Sequence, residues 1–260
     1  MADTDVLLTE TIGRVRLLTL NRPDVRNALS HQLNDAIVDA LIEADHDPEI
    51  YVVAITGTGS AFCSGADLKD ARDMAAAGKP LYGPILSSKR SLFEVMIDTR
   101  KPTVAIINGP AMAGGFELVL SCDLRIAADN AVFAVPEAKR GRGAHYASVM
   151  LPRMVPPAIA MEWLYSGRRI SVTEAERWGL LNKVVPAAEL RDRSLEFLEQ
   201  ITSSAPLSLQ RLRLTYRKTA DLPPHSAIHL DHGPNVYLSE DQKEGTLAFL
   251  EKREPRWQGR

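Results

Sequence analysis

A chain of 260 residues with 45% hydrophobic and 25% charged residues is long enough to bury a full core, as one large domain or two. A formal net charge of −2 gives no global electrostatic reason to bind nucleic acid or anionic lipid, so the expected partner is a small molecule. No apolar run approaches the roughly 20 residues of a bilayer span, and the opening residues lack the basic and apolar regions of a signal peptide. A cytoplasmic location is therefore the expectation. The two cysteines, Cys63 and Cys122, make neither a disulfide framework nor a metal-ligand cluster.

Residues 15–20 read as a strand, ended by the turn residues Asn21-Arg22-Pro23-Asp24. Ser30 is a plausible N-cap, after which Leu33, Ala36, Ile37, Ala40, Leu41 and Ala44 follow helical spacing. Residues 51–56 are a continuous β-rich run, as in a strand buried on both faces, and 57–67 form a loop. Residues 74–84, weakly patterned with Ala, Gly and Pro, read as a mobile loop bordering a pocket. A helix is expected over 87–98, a strand over 103–107, a helix from about Ala113, and short strands over 124–127 and 131–134 around the turn Asp129-Asn130. This alternation predicts an α/β core with parallel strand pairing. Past Glu137 the strand signal fades to one run at 183–185, with helices expected at 156–166, 172–178, 187–202, 207–219 and 240–252. The change near residue 200, punctuated by Pro206, Pro223 and Pro224, suggests a core domain over 1–200 and a helical region over 201–260.

Two glycine-bearing stretches carry the chemistry. Residues 107–118 read Ile-Asn-Gly-Pro-Ala-Met-Ala-Gly-Gly-Phe-Glu-Leu, placing Ala113, Gly114 and Gly115 in a first helical turn whose N–H groups lack intrahelical partners. Missing side chains admit a ligand oxygen, and the helix dipole favours negative charge. Glu117, three residues on, sets a carboxylate beside this anion site, which suggests chemistry on a carbonyl compound. The bland alternative is a glycine-rich turn that lets two elements pack closely. Residues 57–68, Gly-Thr-Gly-Ser-Ala-Phe-Cys-Ser-Gly-Ala-Asp-Leu, follow a strand but lack the Lys-Ser/Thr ending of a phosphate loop. Alone, this is more often a plain turn.

Taken together, residues 18–29, the loop ending Ser64-Gly-Ala-Asp-Leu68, and 107–118 resemble three signature regions of the crotonase (enoyl-CoA hydratase/isomerase) superfamily, in order and at similar separations. The likeness continues through Pro136-Glu137, Gly167-Arg168, 174–185 and the tail 241–260, covering essentially the whole chain. The resemblance implies a spiral of ββα units followed by a C-terminal helical region, assembled as a homotrimer or homohexamer. It implies an acyl-CoA thioester substrate whose enolate is stabilised by the N–H groups of Ala66 and Gly114. Coenzyme A would be part of the substrate, with no separate cofactor, metal, membrane or nucleic-acid partner. Glu117 and Glu137 match the two glutamates that in enoyl-CoA hydratases flank the water and the C2–C3 double bond; having both favours a hydratase, since relatives with other activities often lack one. For either glutamate alone, a solvated helix or loop residue would be the plainer reading.

The resemblance further implies substrate binding by Arg26, Ala28, Ser64, Ala66, Asp67, Leu68, Lys69 and Gly114. Phe249 and Lys252 would reach a neighbouring subunit's coenzyme A. The chain departs from the family pattern after Glu137, where a usual Gly- and Pro-rich run is replaced by Ala-Lys-Arg-Gly-Arg-Gly-Ala-His-Tyr-Ala-Ser over 138–148. That replacement bears on the acyl pocket and on the placement of Glu137, and it keeps an enoyl-CoA isomerase or a coenzyme A-binding scaffold as alternatives. Ala113 replaces a glycine common in relatives, expected to be a mild change. His225, His229, Asp231 and His232 could be read as metal ligands, but a metal site is not expected. Arg211, Arg213, Arg217 and Lys218 are expected on a solvated helix face rather than on RNA. Ser64 lacks the Gly-x-Ser-x-Gly setting of a nucleophile.

Overall fold

The apolar runs of the first half stack side by side into one sheet. The computed structural model describes residues 5–78 and 90–260. Its strands are β1 (Leu7–Ile12), β2 (Val15–Leu20), β3 (Val52–Gly57), β4 (Thr103–Ile107), β5 (Ala111–Met112), β6 (Leu124–Ala128), β7 (Val132–Ala134), β8 (Ile170–Ser171) and β9 (Lys183–Val185). The larger sheet runs β1-β2-β3-β4-β6-β9, parallel from β2 onward, with β1 antiparallel at its edge. The smaller runs β5-β7-β8. Single bridges, Leu29 to Ala66 and Cys63 to Ala111, extend this second layer into the loops after β2 and β3. Each turn of chain thus leaves a strand of the large sheet, touches the small layer, and returns through helix. This is the spiral of ββα units that the resemblance implies.

Alternate residues explain why β3 and β4 read as continuous apolar runs. Val53, Ile55, Ala105 and Ile107 enter one core, while Val52, Ala54, Val104 and Ile106 enter a second on the opposite face. The first core is closed by α1 (His31–His46), with Leu33, Ile37, Ala40, Leu41 and Ala44 inward and Ser30 capping the Leu33 N–H at 3.2 Å. It is also closed by α3 (Leu92–Asp98), α4 (Gly114–Ser121), α5 (His145–Met154) and α6 (Pro157–Ser166). The second is closed by α8 (Leu190–Thr202) through Leu190 and Leu198. Between these lie α2 (Leu68–Ala76) and α7 (Val172–Arg177); α9 (Pro206–Thr219), α10 (Pro224–Ala227) and α11 (Glu240–Glu251) follow. No helix among the described residues is long and apolar enough to cross a membrane.

Several expectations change. The turn Asp129-Asn130 does not join a hairpin: β6 lies in the large sheet and β7 in the small one. The loop expected over 74–84 begins inside α2, and its residues 79–84 lie outside the described residues, as do 87–89 of the expected 87–98 helix. The arginines of α9 are not a solvated face. Arg213 is buried, with Nε donating to Asp123 Oδ2 at 2.7 Å, and Arg217 Nη2 donates to Asp123 Oδ1 at 2.8 Å. Asp123 also takes Thr103 N–H and Oγ1–H at 2.8 and 2.9 Å, so one carboxylate ties α9 to the start of β4 and β6. Burial pushes its pKa up, but the two guanidiniums outweigh that and hold it below the usual range.

Candidate active site

The loop after β2 is riveted to the loop after β3 by Asn27. Its Oδ1 accepts the Arg22 N–H at 2.9 Å, and its Nδ2 donates to the carbonyls of Thr58 and Ala61, both at 2.9 Å. Arg26 and Asn27 take left-handed backbone (φ 52° and 56°), which turns the chain so that Ser64 N–H reaches the Arg26 carbonyl at 3.0 Å. Leu29 then bonds the residues on either side of Ala66: its N–H reaches Gly65 O at 2.8 Å and its carbonyl accepts Asp67 N–H at 3.0 Å. In such a parallel bridge the flanked residue turns its own N–H away from the partner strand. The Ala66 N–H is left facing out.

A second bare N–H stands next to it. Ala113 N–H donates to Ala134 O of β7 at 2.9 Å, and α4 begins at the following residue, Gly114. A Cβ placed on Gly114 would lie 3.7 Å from Ala66 N, so the two backbones are neighbours. Their approach depends on absent side chains. A Cβ on Gly115 would lie 2.3 Å from Cys63 O, and one on Gly65 would lie 2.7 Å from Ala113 Cβ. Among the described residues neither Ala66 N–H nor Gly114 N–H donates to a protein acceptor. Ala113, expected to be a mild replacement, sits at φ 54°, ψ −130°, a backbone region that favours glycine. Strain of about 1–3 kcal/mol is typical there, so the methyl is not neutral.

Glu117 lies in the first turn of α4, only 8% exposed. Its Oε1 accepts the Ala147 N–H at 2.9 Å. Helix α5 has no side-chain cap of its own, since its N-cap is Ala144, and Glu117 supplies the missing acceptor from a neighbouring helix. Burial raises the Glu117 pKa, with the N–H groups of Ala147 and Tyr146 and the His145 charge pulling the other way. Glu137 begins the short 3₁₀ turn Glu137–Arg140, three residues after the Ala134 that anchors Ala113. Its Oε2 is buried without a hydrogen-bond partner among the described residues. Burial pushes its pKa up to about 6; the negative charge of Glu117 adds to the rise, while its own N–H, Arg140 and Arg142 oppose it. Two carboxylates that feel each other, one with an unsatisfied oxygen, lie beside two unsatisfied N–H donors. This set can hold an oxyanion and pass a proton at the next carbon atoms.

The remaining expected site residues divide. Ala28 is buried beneath the loops, and Ser64 Oγ donates to the Val25 carbonyl at 3.2 Å. Asp67 caps α2 through Lys69 and Asp70 N–H, both at 3.1 Å, and accepts Arg22 Nη2 at 2.9 Å. These partners overcome the upward push of burial and keep its carboxyl below the usual range, so Asp67 shapes the loop and has little left to offer a ligand. Leu68, Lys69 and Arg26 are exposed at the mouth of the paired loops. Phe249, 84% exposed, and Lys252, which ends α11 in left-handed backbone, are not brought to these loops by any hydrogen bond among the described residues. The Cys63 thiol is fully buried and pushed up to about 12, which excludes a thiolate nucleophile. No group of three or more His, Cys, Asp or Glu set to hold a metal occurs among the described residues.

Sequence reading missed α5, and with it the N–H groups that hold Glu117. The helix follows the glycine-spaced basic run 139–143 and carries Pro152, which breaks the periodic signal.

A sequence profile of the enoyl-CoA hydratase/isomerase family matches residues 10–260. Carnitinyl-CoA dehydratases from Salmonella paratyphi A and Escherichia coli are each 41% identical over 256 residues, covering 95% of this chain and 96% of theirs. Among solved structures, an enoyl-CoA hydratase from Mycobacterium tuberculosis H37Rv superposes with a TM-score of 0.88 at 32% identity, covering 99% of this chain and 100% of that one. One from Bacillus anthracis gives 0.88 at 30% identity, covering 98% and 100%. With the profile spanning nearly the whole chain and the fold shared end to end, the protein belongs to the enoyl-CoA hydratase/isomerase (crotonase) family.

Proposed function

We propose that the protein is a hydro-lyase that adds water across the C2–C3 double bond of a trans-2-enoyl-CoA thioester and removes it in the reverse direction. The observation that carries this reading is the convergence of the free Ala66 and Gly114 N–H groups with buried Glu117 and half-buried Glu137, whose Oε2 has no partner among the described residues. The thioester oxygen sits on the two N–H groups. Water between the carboxylates gives a proton to one of them as its oxygen bonds to C3, and the π electrons move through C2 to the thioester oxygen as an enolate. The other carboxyl then delivers a proton to C2, and the carbonyl reforms. One proton shared by the pair suffices in both directions, as raised carboxyl pKa values allow. Each N–H donor of this kind is typically worth about 2.7–4 kcal/mol in the transition state. Arg26 and Lys69, exposed at the loop mouth, are suited to the coenzyme A phosphates.

Glu117→Gln and Glu137→Gln keep size and hydrogen bonding but remove proton transfer, so each should lower kcat for hydration by about 10²–10⁴-fold. The double variant should lose far less than the product of the two, because the pair acts as a unit. A silent Glu137→Gln, with 3-enoyl-CoA converted by Glu117 alone, would replace the hydratase reading with an isomerase. Unimpaired acyl-CoA binding without turnover in the wild type would leave a scaffold.

A further inference from the structure

The segment that departs from the family pattern joins the two acids. Residues 138–143 run from Glu137 to the start of α5, whose first turn holds Glu117. The path is a tight turn: Gly141 takes left-handed backbone, and Arg142 N–H returns to the Glu137 carbonyl at 3.0 Å. Lys139, Arg140 and Arg142 are all exposed on it. Most arginines elsewhere have carboxylate partners, Arg14, Arg22, Arg100, Arg168 and Arg253 among them. Among the described residues, the side chains of Lys139, Arg140 and Arg142 make no ion pair or hydrogen bond. The N-terminus of the ten-residue α5 adds partial positive charge at the same place.

This placement bears on the acyl group. On the proposed function, with the thioester oxygen at Ala66 and Gly114 and the double bond between Glu117 and Glu137, the acyl carbons beyond C3 would run past the acids toward the segment that follows Glu137. These three cations have no ion-pair partner among the described residues, and the charge that Arg140 and Arg142 do feel is that of Glu137 itself. We propose that Arg140 and Arg142 select an enoyl-CoA whose acyl group ends in a carboxylate. Arg142 is tied back to Glu137 and Arg140 closes the same turn, so both are held near the reacting carbons, with Lys139 one residue before. A guanidinium gives a carboxylate a bidentate partner, and a fixed positive charge on the acyl group would meet like charge. The inference rests on the hydro-lyase reading for the path of the acyl chain.

The test compares kcat/KM for three trans-2-enoyl-CoA substrates of similar length, ending in a methyl group, a carboxylate or a trimethylammonium group. Binding of the saturated methyl- and carboxylate-ended acyl-CoAs is measured by calorimetry alongside. The carboxylate substrate should be preferred over the neutral one by at least about tenfold, as expected for a partly screened charge pair, with the cationic one poorest. The double variant R140Q/R142Q should bring the preference close to one. Equal use of neutral and carboxylate substrates, or preference for the cationic one, overturns the proposal. So does an equal loss on both substrates in the double variant, which would put the arginines on the coenzyme A moiety. If no substrate is hydrated, the hydro-lyase reading fails, and the calorimetric preference and its loss in R140Q/R142Q still decide the selectivity.

Discussion

Glu137 is the residue where function and stability pull apart. Its pKa is raised from an ordinary 4.5 to about 6 by burial first and by Glu117 second. The sign follows: below about pH 4.5 the carboxyl is neutral whether folded or unfolded and costs the fold nothing. As pH rises through about 6 its ionisation opposes folding. Discounted for solvent screening of a partly exposed group, this amounts to about 1 kcal/mol at pH 8. Glu137→Gln should therefore raise Tm by about 2–4 °C at pH 8 and leave it unchanged at pH 4, while turnover collapses. A thermal shift series across pH checks this; an equal shift at both values would show that the carboxyl is not perturbed by its site.

At the scale of elements, the docking of α9 is decided by Asp123, which holds Arg213 and Arg217 from one side and Thr103 from the other. Removing one member of a buried charge cluster leaves the others uncompensated, typically at about 3–5 kcal/mol. Asp123→Ala should lose about that much in urea unfolding; a loss under about 1 kcal/mol would make the pairs superficial. Sequence reading placed α9 well but its arginines wrongly, because helical spacing reveals a helix and not the part-buried carboxylate, 90 residues away, that draws a cation inward. The strands β2, β4 and β9 were legible at their ends, since turn residues bracket apolar runs. The two-residue strands β5 and β8 were not, being too short to carry any period. Gly114, Ala66 and Glu117 could be named from sequence. What holds Glu117, the open start of α5, could not, because a cap supplied from another helix leaves no local mark.

For the whole molecule, α11 and the segment before it expose several large apolar side chains. Phe249 and Leu238 are 84% and 81% exposed, with Tyr237, Leu250 and Ile228 also out. Exposed apolar residues on this scale mark contact surfaces, and we propose that these residues join copies of the chain in a homotrimer or homohexamer, with residues 201–260 as the assembling region and Phe249 and Lys252 at the junction. Light scattering should give a trimer or hexamer at micromolar concentration, reduced in order by Leu238→Lys with Phe249→Lys. An active wild-type monomer would remove the intersubunit roles of Phe249 and Lys252.

On the proposed function, two backbone N–H groups and two carboxylates together add water to an enoyl thioester. Oxygen-18 incorporation from labelled water into the acyl product, followed by mass spectrometry, tests it most directly. The wild type should place one labelled oxygen at C3, and Gly114→Pro, which removes a donor at a helix position that tolerates proline, should slow that incorporation by about 10²–10³-fold while staying folded. Turnover of enoyl-CoA without label in the product, or incorporation undiminished in folded Gly114→Pro protein, would rule out hydration at this site.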